Sequence, residues 1–187
     1  MGRPARIQAP NAFYHVTVRG ARQLPLFLDE IDYTRITGIL AKVVTRFGWE
    51  CHTYCFMPNH IHLLIRTPEP NISAGMQRLN HAYAIRFNLR HGYTGHAFDR
   101  RFGSVLIEHE NHLLNAVRYI VLNPVEAGLC EYPSQWPYSS FCATAGIVSP
   151  PPFLEVDFVR GLFSGVPGFG GAAFAASIQA AVAERAA

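Results

Sequence analysis

The chain has no apolar run long enough to span a membrane, and its opening residues, MGRPARIQAPN, hold no hydrophobic segment of the signal-peptide kind. A soluble, cytoplasmic protein with no membrane partner is expected. It also lacks paired cysteines. Cys51, Cys55, Cys130 and Cys142 form no CxxC and fall far below the density of a disulfide scaffold, which predicts reduced, mostly structural thiols. Cys51 and Cys55 sit near His52, but a regular strand would hold them an extended turn apart on one face, too far for shared zinc ligation. Acids are scarce from Arg78 to Arg101, where Arg78, Arg86, Arg90, Arg100 and Arg101 meet only Asp99. With a net charge of +3, this arrangement permits a nucleic-acid backbone as partner and fits a solvated helix face equally well.

What is present suits one domain with a tail. At 187 residues, 49% of them apolar, the chain can fill a single core, and disorder is excluded as its general state. FYHVTVRG, residues 13–20, alternates as a strand does. A helix over 29–47 is predicted by Asp29 as its cap and by Ile36, Ile39, Leu40, Val43, Val44 and Phe47 at helical spacing. Residues 49–57 and 60–67 read as strands of a hairpin turning at Pro58 and Asn59. A second helix over 73–91 carries Met76, Leu79, Tyr83 and Phe87 on one side; a fourth strand at 104–110 and a third helix at 111–123, stopped near Pro124, follow. This β-α-β-β-α-β-α order predicts an α+β, ferredoxin-like sheet with helices on one face and the other face free for a site. Composition divides residues 1–143 from an extension at 144–187, in which PPPFLEVDFVRGLF suits a short helix, GVPGFGG a connector and the alanine-rich end another helix.

The hairpin holds the first chemical signal. In PNHIHLLIR, strand alternation puts His60, His62 and Arg66 on one side and Ile61, Leu63 and Ile65 on the other. Two neutral imidazoles on a rigid strand are a start for a divalent-metal site, and they are equally two half-exposed strand histidines. The third helix adds to this. Its core stripe of Leu113, Val117, Ile120 and Val121 leaves Tyr119 and Asn123 adjacent on another side, a phenol next to an amide oxygen. Read by itself, that pair is also an ordinary packing residue and a helix cap.

PNHIHLLI resembles the His-hydrophobe-His motif of the HUH endonuclease superfamily, and RYIVLNPVEAGL resembles the tyrosine-bearing helix of its single-tyrosine transposases, the REP-associated branch above all. RPARIQAPNAFYHVTVRG, YAIRFNLRHGYTGHAFDRRFGSVLIE and WPYSSF support the resemblance in the same order, over about residues 3–141. The resemblance implies an HUH endonuclease fold, His60 and His62 as metal ligands, Asn123 as the third ligand, Tyr119 as nucleophile, and Mg²⁺ or Mn²⁺ as the ion. It implies cleavage and rejoining of single-stranded or hairpin-associated DNA through a 5′-phosphotyrosine, by a monomer or a homodimer. Arg66 and the arginines of 78–101 would then follow the DNA backbone, with Tyr93, His96 or Phe98 stacking on bases.

Three other readings compete. A histidine-triad hydrolase needs a third histidine where Leu64 stands. A ferredoxin-like RNA-binding domain needs aromatic stacking strands that are not evident. A domesticated DNA-binding protein of the same fold, without cleavage, is compatible with every residue named.

Overall fold

A computed structural model describes residues 8–164 and 170–186. The start of the first supporting stretch, residues 3–7, and most of the glycine-rich connector, residues 165–169, lie outside the described residues. Four strands, β1 (Ala12–Arg19), β2 (Glu50–Met57), β3 (His60–Thr67) and β4 (Gly103–Ile107), form an antiparallel sheet in the order β2-β3-β1-β4. The two crossovers are α1 (Glu30–Phe47) and α2 (Ile72–His91), as the ferredoxin-like reading requires. Asp29 caps α1 by accepting from the Ile31 and Asp32 amides, and Gly92 ends α2 in the left-handed conformation.

The sheet is buried on both sides. Tyr14, Val16, Val18, Ile61, Leu63 and Ile65 meet α1 and α2 in one core. On the opposite face Cys55, Met57 and Leu64 pack under α3 (Glu110–Glu126) in a second core, so the face expected to be free is partly roofed. Leu113, Val117, Ile120 and Val121 are the apolar stripe that does this.

Three local expectations need correcting. β4 ends at Ile107, short of 110, because Glu110 already opens the first turn of α3. α3 continues through Pro124 to Glu126: the ring removes one amide near the helix end, while Ala127 still donates to the Asn123 carbonyl at 2.9 Å and Leu129 to that of Pro124 at 2.9 Å. Finally, β2 carries a bulge between Cys51, opposite Ile65, and Thr53, opposite Leu64, leaving His52 as the extra residue. The bulge shifts the alternation, so Cys51 enters the first core and Cys55 the second, on opposite faces of the sheet.

The tail packs against this body. After the short α4 (Phe141–Thr144), Leu154 bridges to Cys51, and α5 (Val156–Ser164) and α6 (Gly171–Ala186) insert Val159, Phe174 and Ile178, all fully buried, into the second core. The short helix and the alanine-rich helix expected from composition are both present.

Candidate metal and nucleophile site

Where β3 begins, the hydrogen bonding around the two histidines can be followed atom by atom. The Asn59 amide nitrogen donates to the Gln23 carbonyl at 3.3 Å, so its oxygen faces His60 and accepts from Nδ1 at 2.7 Å. His60 therefore carries its proton on Nδ1 and presents a bare Nε2. On α3, the Asn123 amide nitrogen donates to the Tyr119 carbonyl at 2.8 Å, which turns the Asn123 oxygen toward the sheet. That oxygen lies 3.5 Å from His60 Nε2. Two lone-pair atoms thus face each other with no proton between them, since a doubly protonated His60 is opposed by burial, which lowers its pKa, and by the charge of Arg19; only the Asn123 contact pulls the other way.

His62 adds a third atom, a ring nitrogen, with its ring centroid 4.8 Å from that of His60. It is 2% exposed, its Nδ1 lies 3.0 Å from His15 Nε2, and its own Nε2 is buried with no hydrogen-bond partner among the described residues. Desolvation first, then the charges of His60, His15 and Arg19, holds its pKa down to about 3, so the ring is neutral at ordinary pH. Among the described residues no three His, Cys, Asp or Glu side chains form a metal cluster; the Asn123 amide oxygen is the further lone pair beside His60. His60 Nε2 and Asn123 Oδ1, joined by His62 Nε2 when that ring carries its proton on Nδ1, suit a divalent cation: neutral, lone-pair bearing and otherwise unmatched.

Tyr119 is 41% exposed, and its ring meets His62 edge-on at 5.4 Å and His15 at 5.6 Å between centroids. The phenol borders the histidines of its own chain and is not packed into the interior. His60, His62, Tyr119 and Asn123, singled out from the sequence, lie next to one another, and two neighbours on β1 were not among the residues singled out. His15 touches both His62 and Tyr119, and Arg19 pairs across the ladder with His60. Alternation in FYHVTVRG puts His15, Thr17 and Arg19 on one face, which is the signal that was available; which strand lies beside them was not. The adjoining Gly20 is required sterically, because a Cβ there would lie 2.3 Å from the Leu24 carbonyl oxygen.

The arginines divide. Arg66 shares the histidine face but is held by both Glu50 oxygens at 3.0 Å and by Asn11 at 3.2 Å, with its guanidinium over Phe13. Arg90 is bound to Asp29 and Asp32 at the junction of α1 and α2. Arg78 and Arg86 line a groove of about 710 Å³ between those helices with Arg35, Lys42 and Arg46, across the sheet from the histidines; its lining includes no carboxylate. Arg100 and Arg101 border a second cavity of about 850 Å³ beside α2. Their loop is tied to the end of β1, where the Asp99 amide donates to the Arg19 carbonyl at 3.0 Å. Of the proposed stacking aromatics, Phe98 packs against the core, whereas Tyr93 and His96 are exposed.

Comparison with known proteins bears on the family and the fold. A Haemophilus influenzae protein described as "Putative REP-associated tyrosine transposase" is 31% identical over 106 residues, 51% of this chain and 60% of that relative, so the chain spans less than two thirds of its length. A solved REP-associated tyrosine transposase bound to a REP hairpin superposes with a TM-score of 0.68 at 22% identity, over 83% of this chain and 93% of that one, and shares the fold. Residues 8–123, from before β1 to Asn123, match the family described as "Transposase IS200 like". With β1 to β4, the histidine pair and Tyr119 all inside the matched span, the chain belongs to the IS200-like transposase family.

Proposed function

We propose that this transposase cuts and rejoins single-stranded DNA beside a hairpin through a covalent 5′-phosphotyrosine, using Mg²⁺ or Mn²⁺. The observation that carries this reading is the pair of facing acceptors, His60 Nε2 and Asn123 Oδ1, with the unmatched His62 Nε2 nearby and the Tyr119 ring at its edge. These three atoms would hold the ion. When bound, it would draw charge from a nonbridging phosphate oxygen and fix the phosphorus for in-line attack.

Tyr119 supplies the nucleophile. Its phenol oxygen bonds to phosphorus as the bond to the 3′ oxygen breaks, leaving a free 3′-hydroxyl and a 5′-phosphate on the tyrosine. Free tyrosine has a pKa of about 10, so about one part in a thousand is phenolate at neutral pH, and a nearby cation lowers the cost of reaching it. The reverse step needs no ATP: a 3′-hydroxyl attacks the phosphotyrosine and the phenolate departs, a better leaving group than an alkoxide. The 5.4 Å between the Tyr119 and His62 ring centroids within one chain supports supply of the nucleophile in cis.

DNA would reach the rim as an unpaired strand. Arg100 and Arg101, on the loop tied to Arg19, and Arg78 and Arg86, in the basic groove, are the candidates for phosphate contacts; Arg100 meets Asp99 at 3.5 Å on the surface, and Arg86 donates to the Ala82 carbonyl at 3.1 Å. Arg66 and Arg90 are assigned to holding the fold together.

The test is incubation of end-labelled hairpin oligonucleotides carrying single-stranded flanks with the protein and Mn²⁺. A covalent protein–DNA band is expected; Tyr119→Phe removes it while affinity for the oligonucleotide stays within a few-fold, and EDTA abolishes it in the wild type. An adduct that survives Tyr119→Phe refutes the nucleophile. Binding with no adduct from the wild type leaves a DNA-binding protein of the same fold.

A further inference from the structure

The two sheet histidines are each engaged at Nδ1, but by different means. For His60 the neighbour is Asn59, whose orientation is itself fixed, so the direction of the hydrogen bond is settled. For His62 the neighbour is another imidazole, His15, reaching diagonally from β1, where Thr17 is the direct partner of His62. One ring donates and the other accepts, and the choice determines what His62 shows on its far side.

If His15 donated, His62 would carry its proton on Nε2. That N–H would be buried without an acceptor in bonding distance among the described residues. It would also remove His62 from the set of lone pairs formed by His60 Nε2 and Asn123 Oδ1. If His62 donates, its Nε2 is bare and completes the set, as the Asn59 contact does for His60. We propose that His15 is a positioning residue, accepting the Nδ1–H of His62 so that the His62 Nε2 lone pair is held toward the cation. The same imidazole lies edge-on against Tyr119 at 5.6 Å, so one side chain on β1 braces a ligand and the nucleophile together. Partners of this kind, bound to the remote nitrogen of a ligating histidine, fix its tautomer and ring orientation.

The inference rests on the metal-site reading, and its test separates the two. Long-range ¹H–¹⁵N spectra of the imidazoles in metal-free protein, at a pH where the rings are neutral, report the tautomer of His62 directly. Nδ1–H with a bare Nε2 is expected in the wild type, and loss of that single tautomer in His15→Leu. Mn²⁺ binding, read by calorimetry, is expected to weaken about 10- to 100-fold in His15→Leu. His15→Gln, whose amide oxygen can accept the same proton, should recover most of it. A wild-type His62 protonated on Nε2 overturns the proposal, as does a folded His15→Leu protein that binds Mn²⁺ like the wild type. Should the wild type take up no Mn²⁺, the metal reading fails, and the tautomer spectra still decide the role of His15.

Discussion

Two clusters of partly buried polar groups are assembled in opposite ways. Where α1 meets α2, Asp32 is 1% exposed and accepts from the Leu28 amide at 3.0 Å, Arg90 at 2.8 Å and His91 at 2.9 Å. Asp29 shares Arg90 and caps α1 as well. Every acceptor there meets a donor, and the charges offset each other. Across the sheet, His60 and Asn123 turn acceptors toward each other at 3.5 Å and the buried Nε2 of His62 has no partner among the described residues, although each side chain is anchored by a hydrogen bond on its other side. A matched cluster needs nothing further and serves the fold. A mismatched one, held rigidly, costs stability and waits for something to fill it.

The difference can be tested by stability. Asp32→Ala leaves Arg90, His91 and the Leu28 amide without their common acceptor, and urea denaturation should show a loss of about 3–5 kcal/mol. A loss under about 1 kcal/mol would mean that this junction contributes little to holding α1 against α2.

His52 provides a third case, a buried imidazole that belongs to neither cluster. It is the bulge residue of β2, lies between the Phe13 and Phe158 rings, and has Glu50 only as a distant partner at 3.6 Å. Desolvation, the largest cause, lowers its pKa to about 4. Because the folded value is depressed below the ordinary 6.5, the unfolded chain binds the proton first, and stability falls as pH drops from about 6.5 toward 4. The contribution is roughly 3 kcal/mol. His52→Phe should flatten that part of the stability–pH curve measured by denaturation; an unchanged acid slope would assign it to other groups.

The smallest effect sharpens the comparison most, because its sign is opposite. Replacing both partners of a buried hydrogen bond by apolar groups of similar size is neutral or stabilising, so the double variant His15→Leu/His62→Leu in metal-free protein should gain up to about 1 kcal/mol while losing adduct formation. Destabilisation by more than about 1 kcal/mol would show that the His62–His15 pair is structural.

Much of this was legible in the sequence, because local rules governed it. The Asp29 cap, the Pro58–Asn59 turn and the alternation around His60 and His62 each involve residues within a few positions of one another. Tyr119 and Asn123 were paired by helix geometry alone. What escaped depends on distant partners. Arg66 and Arg90 look free along the chain, yet their acids lie 16 and 58–61 positions away. His15 and Arg19 enter the site only because β1 pairs with β3, a register that one strand cannot reveal. The second face is narrower than expected because α3 was assigned an apolar stripe without a surface to cover, and Cys55, Met57 and Leu64 were that surface.

The Asn123 side chain grips the carbonyl of Tyr119, one helical turn before it, with the same amide whose oxygen is turned toward His60. Swinging that oxygen out of place breaks the grip on the very residue that bears the phenol. A single planar amide thus ties the start of β3 to the helical turn that carries Tyr119, like a latch whose bolt and handle are one piece.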